Sequence, residues 1–228
     1  MSTAPTLGDR IKGYEAVSRH KLLPNTPLFI RVDGRAFHTL TRSCDKPFDF
    51  NLVGAMTHAA RETAKEMQGF KLAYVQSDEA TFMLSDFDRN TSEGWFGYDL
   101  NKVVSLSSAL FTAHFNAVSS LPMAVFDSRA FNVPAEDAPN VFVWRQRDWE
   151  RNWVHMLARA HFTHKQLHGV TRQGAIDKLR DAGVEPFDQP DVIKYGTYVL
   201  SDGTVRHFRP DYVELRDLLE RRGDDEGD

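Results

Sequence analysis

The sequence predicts an α+β fold: a sheet in β-α-β-β-α-β order, the split βαβ arrangement of ferredoxin-like folds, with a helical C-terminal extension. Three observations predict it. Apolar, β-branched runs at 27–33, 70–76, 79–85 and 125–133 alternate with two segments of helical period, 51–68 and 100–116. The second and third runs are separated only by Ser77 and Asp78, the length of a hairpin turn. Beyond residue 136 the pattern changes to charged helical spacing.

The first run, PLFIRVD, closes on Asp33-Gly34, a pair that ends strands. In 51–68, Leu52, Met56, Ala59, Ala60, Thr63, Ala64 and Met67 share one helical face, and Gly69 stops the helix by tolerating the left-handed conformation. Residues 100–116 read as a second helix, although their valines and serines also suit a strand. Residues 125–133 are extended, and Pro134 with AEDAPN predicts a loop. Helices follow at 147–167 and 172–182, then a hairpin from 192–199 and 204–208 turning at Ser201-Asp202-Gly203. A charged amphipathic helix at 211–222 precedes GDDEGD, which is expected to fray. The domain division is a sheet domain at 1–136 and a mainly helical extension at 137–228, integral with it.

Composition bounds the function. At 228 residues, 41% hydrophobic and 11% aromatic, the chain is globular in type. No apolar run approaches the roughly 18 residues a membrane helix needs. The N-terminus lacks the basic-then-apolar pattern of a signal peptide. A single cysteine, Cys44, excludes an internal disulfide framework and a cysteine zinc cluster. The expectation is a cytoplasmic protein. The net charge of −4 argues weakly against a nucleic-acid partner, but the charge is unevenly spread. Residues 145–180 hold eight Lys/Arg against three Asp/Glu, and residues 211–228 hold eight acids against three arginines. Such a basic segment permits local phosphate binding, although solvated helix faces produce the same pattern.

Two carboxylate-bearing stretches carry the chemistry: LFIRVDGRAFHTL (28–40) and LAYVQSDEATFML (72–84). In the predicted topology the end of the first strand lies beside the central hairpin, so Asp33 and Asp78 converge at one rim of the sheet. Adjacent carboxylates resist ionising together unless a cation lies between them. Oxygen ligands of this kind suit Mg²⁺, which keeps waters and borrows further ligands from phosphates. Two such ions assist in-line phosphoryl transfer. Gly34 can turn tightly and expose its carbonyl to a metal, and the amides of Arg35, Ala36, Phe37 and His38 can form a concave nest for a triphosphate. No G-x-x-x-x-G-K-[ST] loop is present. Each feature also has an ordinary role: Asp-Gly and Ser-Asp-Glu as turns, Phe37 as core, His38 as a surface histidine.

The motifs RVDGRAFH (31–38), KPFD (46–49), YVQSDE (74–79), FDSR (126–129) and WRQRDWERN (144–152) occur in that order. Together they resemble the histidine-tRNA guanylyltransferase family and its bacterial, archaeal and phage relatives, the 3′–5′ polymerases. The resemblance runs over 7–199. It implies a polymerase/cyclase-like palm over 1–136, assembly as a homotetramer, and addition of nucleotides to the 5′ end of tRNA. The 5′-monophosphate is activated with ATP or GTP, and the 3′-hydroxyl of a nucleoside triphosphate then attacks it. By position, Asp33 and Asp78 resemble the ligands of two Mg²⁺ ions and Gly34 the carbonyl ligand, with Glu79 accompanying the metal aspartate. Asp33, Gly34, Arg35, Ala36, Phe37, His38, Ser77 and Asp78 resemble the triphosphate surface. Lys46 and Lys102 match basic positions near nucleotides. Arg129, Arg145 and Asn152, with Arg151 beside them, are candidates for tRNA contact. Trp144, Trp149 and Trp153 can stack on bases, although core packing is the usual role for at least two of them.

One departure concerns specificity. Where eukaryotic members carry His-Ile-Asn-Asn, this chain has Glu150-Arg151-Asn152-Trp153, keeping only one asparagine in register. The expected function is therefore template-directed repair of 5′-truncated tRNA. Single guanosine addition to histidine tRNA is the alternative, and a cyclase-like enzyme or a non-catalytic RNA-binding module are more distant ones.

Overall fold

The computed structural model describes residues 5–86 and 93–220. Six strands form one antiparallel sheet of order β4-β1-β3-β2-β5-β6. They are β1 (Leu28–Gly34), β2 (Phe70–Gln76), β3 (Glu79–Leu84), β4 (Phe126–Asn132), β5 (Thr197–Leu200) and β6 (Val205–Arg206). The order β4-β1-β3-β2 is the split βαβ arrangement read from the sequence, with β5 and β6 added beside β2. The C-terminal extension thus supplies two strands to the same sheet.

Alternation along β1 explains the layers. Leu28, Ile30 and Val32 face one side with Phe82 and Phe126, where α3 (Phe50–Lys65) and α4 (Leu100–Val118) cover them. Ala55, Ala59, Ala60 and Ala64 line the buried side of α3, and Phe111 and Phe115 that of α4. Small residues on α3 leave room for the large rings of α4. Phe29, Tyr74, Met83 and Tyr198 face the other side, against Phe142 of α5 (Ala138–His161) and Leu215 of α9 (Tyr212–Glu220). A third cluster joins Trp149, Trp153 and Leu157 of α5 to Ile176 and Leu179 of α7 (Arg172–Asp181) and to Ile193 of α8 (Asp191–Tyr195).

The remaining helices are α1 (Leu7–Ala16), α2 (Phe37–Leu40) and α6 (His164–Leu167). Helix α1 is not expected from the apolar pattern; the Thr6–Asp9 capping box starts it, and none of its residues is buried.

Three expectations differ from the structure. Helix α5 begins at Ala138, inside the stretch read as a loop, after a 3₁₀ turn at Ala135–Asp137. Pro139 does not break it, because the first helical turn needs no intrahelical N–H. The helix read as ending at residue 167 stops at His161, and Thr163 caps the separate α6. Residues 192–195, read as strand, belong to α8; the strand starts after Gly196, whose φ of 73° turns the chain. The expected fraying of the acidic terminus lies outside the described residues. Among the described residues, no helix is long and apolar enough to cross a membrane.

Candidate active site

Strand pairing brings the two carboxylate stretches together. Asp33 of β1 is directly opposite Glu79 of β3 and opposite Asp127 of β4. The β2–β3 hairpin turns through Ser77, at φ 49°, and the Gly34 amide donates to the Asp78 carbonyl at 3.0 Å. Asp33, Gly34, Ser77, Asp78 and Glu79 therefore meet at one rim of the sheet. Ser77 Oγ donates to Asp78 Oδ1 at 2.9 Å, which orients that carboxylate.

Asp33 is held above the usual aspartate range. Burial is the main cause, followed by repulsion from Asp78 and Asp127, which Arg129 and Arg31 only partly offset. The rim thus carries negative charge that its neighbours do not neutralise, the electrostatic condition for binding a cation. Among the described residues, no group of three or more His, Cys, Asp or Glu side chains could hold a metal unaided. Two carboxylates with a backbone carbonyl at Gly34 make an incomplete oxygen shell. That donor set fits Mg²⁺, which takes its other ligands from water and phosphate.

Gly34 is required by packing. A Cβ at this position would fall 2.2 Å from Phe37 Cδ2. The chain leaves Gly34 through Ala36, at φ 53°, and Phe37 then turns inward against Phe115 and Phe126. Two parts of the expected phosphate nest change accordingly. The Arg35 amide donates to the Val125 carbonyl at 2.9 Å, so that donor is already engaged. The Phe37 ring is core and only its backbone remains near the site. Ala36 and His38 are exposed beside it, with His38 Nε2 3.1 Å from Thr39 Oγ1.

Two cavities meet along a shared wall of Gln76, Ser77, Asp78, Trp149, Met156 and Arg159. The first, about 440 Å³, is mainly apolar, lined by Phe37, Phe48, Leu52, Val53 and Met56, with His38 and Lys46 at its polar side. Lys46 Nζ donates to the Thr41 carbonyl at 3.0 Å. Asp49 caps α3 behind this loop, accepting from the amides of Asn51 at 2.9 Å and Leu52 at 3.1 Å. Burial draws the Asp49 carboxyl upward, but hydrogen bonds from the Leu52, Asp45 and Asn51 amides outweigh it and hold it low.

The second cavity, about 470 Å³, is polar and contains Asp33, Glu79, Asp148, Arg151, Asn152 and His155. A ladder of charge backs it. Glu79 Oε2 is 3.8 Å from Arg31 Nε, and Glu79 Oε1 is 2.9 Å from Arg145 Nε. Arg145 Nη2 is 2.9 Å from Asp148 Oδ2, and Asp148 in turn holds Arg151 and, at 3.2 Å, Asn152. Gln76 accepts from Arg145 Nη2 and donates to its carbonyl, both at 2.9 Å. Burial raises the Glu79 carboxyl even though Arg145 and Arg31 pull it down. Both Glu79 oxygens face arginines, so Glu79 is a buried brace behind the aspartates.

The candidate RNA-contact residues divide. Arg145 forms part of the second cavity's wall, but its guanidinium is taken up by Glu79, Asp148 and Gln76. Arg151 and Asn152 line the second cavity, and Arg129 is exposed on β4, opposite Arg31 and on the same sheet face as Asp33. Lys102 stands in the first turn of α4 and lines neither cavity. Sequence reasoning missed Asp148, His155 and Arg159. Their signal was present: 148, 151, 152, 155 and 159 share one face of a helix at i+3/i+4 spacing. His155 is held below the usual histidine range by burial and then by the charges of Arg159 and Arg151.

A family model described as "Thg1: tRNAHis guanylyltransferase" matches residues 8–134. A probable tRNA(His) guanylyltransferase of Drosophila melanogaster is 32% identical over 180 residues, which cover 75% of this chain and 60% of the fly protein. The chain therefore spans less than two thirds of that relative's length. A solved bacterial tRNA(His) guanylyltransferase (Thg1)-like protein in complex with ATP aligns with a TM-score of 0.91 at 35% identity, covering 95% of this chain and 100% of that one. A Thg1-like protein in complex with GTP aligns at 0.84 and 32% identity, with the same coverage.

Proposed function

This chain belongs to the tRNA(His) guanylyltransferase (Thg1) family, and from that premise we propose that it is a Mg²⁺-dependent 3′–5′ nucleotidyltransferase acting on the 5′ end of tRNA. The observation that carries the reading is the meeting of Asp33 and Asp78 at one rim of the sheet, where Asp78 stands between a mainly apolar cavity and the polar cavity that also holds Asp33. ATP and GTP, bound by the two bacterial relatives, are the proposed activating substrates.

In this reading the apolar cavity takes a nucleobase between Phe48, Leu52 and Met56, and Lys46 and His38 meet the attached phosphates. The polar cavity takes the RNA 5′-phosphate and the activating nucleotide's phosphates against Arg151, His155 and Arg159. Asp33 and Asp78, with the Gly34 carbonyl, would hold two Mg²⁺ ions. Once bound, the metal supplies charge neutralisation on phosphate and a more acidic attacking hydroxyl. Activation joins the RNA 5′-phosphate to the nucleotide's α-phosphorus and releases pyrophosphate. The 3′-hydroxyl of the incoming triphosphate then displaces the nucleoside monophosphate from the RNA 5′-phosphorus. The residues of this chain contribute placement: Glu79 and Arg145 brace the hairpin that carries Asp78, while Asp148 fixes Arg151 and Asn152.

We further propose template-directed repair of 5′-truncated tRNA as the biological form of this activity. The fate of Glu150-Arg151-Asn152-Trp153 supports it. Trp153 is core, and Glu150 is taken up by Arg209. Only Arg151 and Asn152 face the cavity, a cation and an amide in place of a dedicated histidine pocket. Single guanosine addition to histidine tRNA is the second reading, favoured by the family description and by retention of Asn152. Homotetrameric assembly belongs to the proposal too, and α1 offers a surface for it, with Leu7, Ile11 and Tyr14 exposed. Incubation with 5′-truncated tRNA, labelled nucleoside triphosphate and Mg²⁺ tests the enzyme class. Label in RNA supports it; a free cyclic product, or RNA binding without turnover, refutes it.

A further inference from the structure

Of the tryptophans in the WRQRDWERNW segment, two are structural. Trp149 is 5% exposed and donates to the Ile193 carbonyl at 2.8 Å, and Trp153 is 1% exposed. Trp144 is 57% exposed. Its ring nevertheless has a fixed position. The Arg145 guanidinium carbon lies 4.3 Å from the ring centroid, and that guanidinium is itself locked onto Glu79 and Asp148, each at 2.9 Å. A ring backed by an immobilised cation loses little rotamer freedom when a second planar group covers its open face.

The direction in which the ring leads adds a second argument. Trp144, Asp148, Arg151, His155 and Arg159 follow one another at i+4, i+3, i+4 and i+4 along a single face of α5. The line is about 22 Å long at the helical rise. Asp148 is already neutralised by Arg145 and Arg151. The line therefore presents an aromatic face followed by the cations Arg151 and Arg159, with the His155 ring between them, running into the cavity that contains Asp33. An aromatic face joined to a track of cations matches single-stranded or terminal nucleic acid, whose bases stack and whose phosphates pair with the cations.

We propose that Trp144 is the stacking platform for a nucleobase at the end of the RNA acceptor stem, setting that end at the mouth of the Asp33–Asp78 site without reading its sequence. The proposal rests on the reading of the site as one that acts on RNA. Stacking is sequence-tolerant because every base has a π-face, and no hydrogen-bonding group of Trp144 is needed.

The test places 2-aminopurine at the terminal position of a 5′-truncated acceptor stem and measures its fluorescence and RNA affinity, with ATP affinity measured in parallel. The wild type should quench the probe. Trp144→Ala should bind the RNA roughly tenfold more weakly and lose the quenching, with ATP affinity unchanged. Trp144→Phe should keep the quenching and most of the affinity. Equal affinity and quenching in Trp144→Ala and wild type, while the wild type extends the RNA, overturns the platform and leaves the enzymatic reading standing. Parallel losses of ATP and RNA affinity also overturn it, because the ring would then act only by holding Arg145. A wild type that neither quenches nor extends the RNA overturns the platform together with the reading beneath it.

Discussion

Arg145 of α5 meets Glu79 of β3 at 2.9 Å, with side-chain exposures of 8% and 13%. This contact ties the C-terminal extension to the strand that follows Asp78, so the sheet and the helix meet at the candidate active rim. Removing one partner of a buried ion pair leaves an uncompensated charge, whereas removing both does not. Arg145→Met should destabilise the protein by about 3 kcal/mol, a fall in Tm of roughly 6–12 °C for a chain of this size. The Arg145→Met/Glu79→Gln double variant should recover much of that loss. Thermal unfolding of the three proteins checks the order; a single variant as stable as wild type would show that the pair is not a brace.

Asp33 connects stability to the proposed metal site. Its carboxyl titrates above the usual range in the folded protein, so the folded state binds that proton more tightly than the unfolded state does. The wild type should therefore lose stability as pH rises through the raised value, and the cost disappears below the ordinary aspartate range. In EDTA at neutral pH, Asp33→Asn should be the more stable protein. Added Mg²⁺ should raise the Tm of the wild type and leave that of the variant nearly unchanged. Nucleotide addition by the variant should fall by at least about a hundredfold, since a lost metal ligand forfeits several kcal/mol of transition-state stabilisation. An Asp33→Asn protein that retains wild-type turnover would remove this residue from the mechanism.

Two glycines give opposite outcomes. At Gly34 a new methyl would overlap the Phe37 ring, which Phe115 and Phe126 hold in place. Gly34→Ala should cost about 1–3 kcal/mol and abolish nucleotide addition as the β1–α2 turn shifts. A Cβ at Gly54, inside α3, would meet no atom within 4 Å beyond its chain neighbours and the helix's own backbone. Gly54→Ala should stabilise the fold by up to about 1 kcal/mol. Denaturant unfolding of both variants checks the contrast.

The strands were legible because each alternation had hard ends: Asp33-Gly34 closes β1, and Ser77-Asp78 can only be a two-residue turn between β2 and β3. From that turn the proximity of Asp33 and Asp78 followed. The start of α5 was not legible, since Pro134 and Pro139 look alike in sequence and only the second occupies a helical first turn. The loss of the Arg35 amide to Val125 depends on a loop arriving from 90 residues away, which no local pattern encodes. His155 and Arg159 went unread for another reason: helical spacing placed them with Arg151, but not against the sheet.

The enzymatic account is tested most directly by comparing two substrates, each with a 5′-monophosphate: a truncated non-histidine tRNA and an intact histidine tRNA. The base opposite the site of addition is varied in the truncated one. With ATP, the four nucleoside triphosphates and Mg²⁺, the truncated tRNA should be extended, and each change of template base should change which triphosphate is incorporated. Reaction of the histidine tRNA alone, with guanosine added whatever base stands opposite, would contradict template-directed repair and establish the single-addition reading in its place.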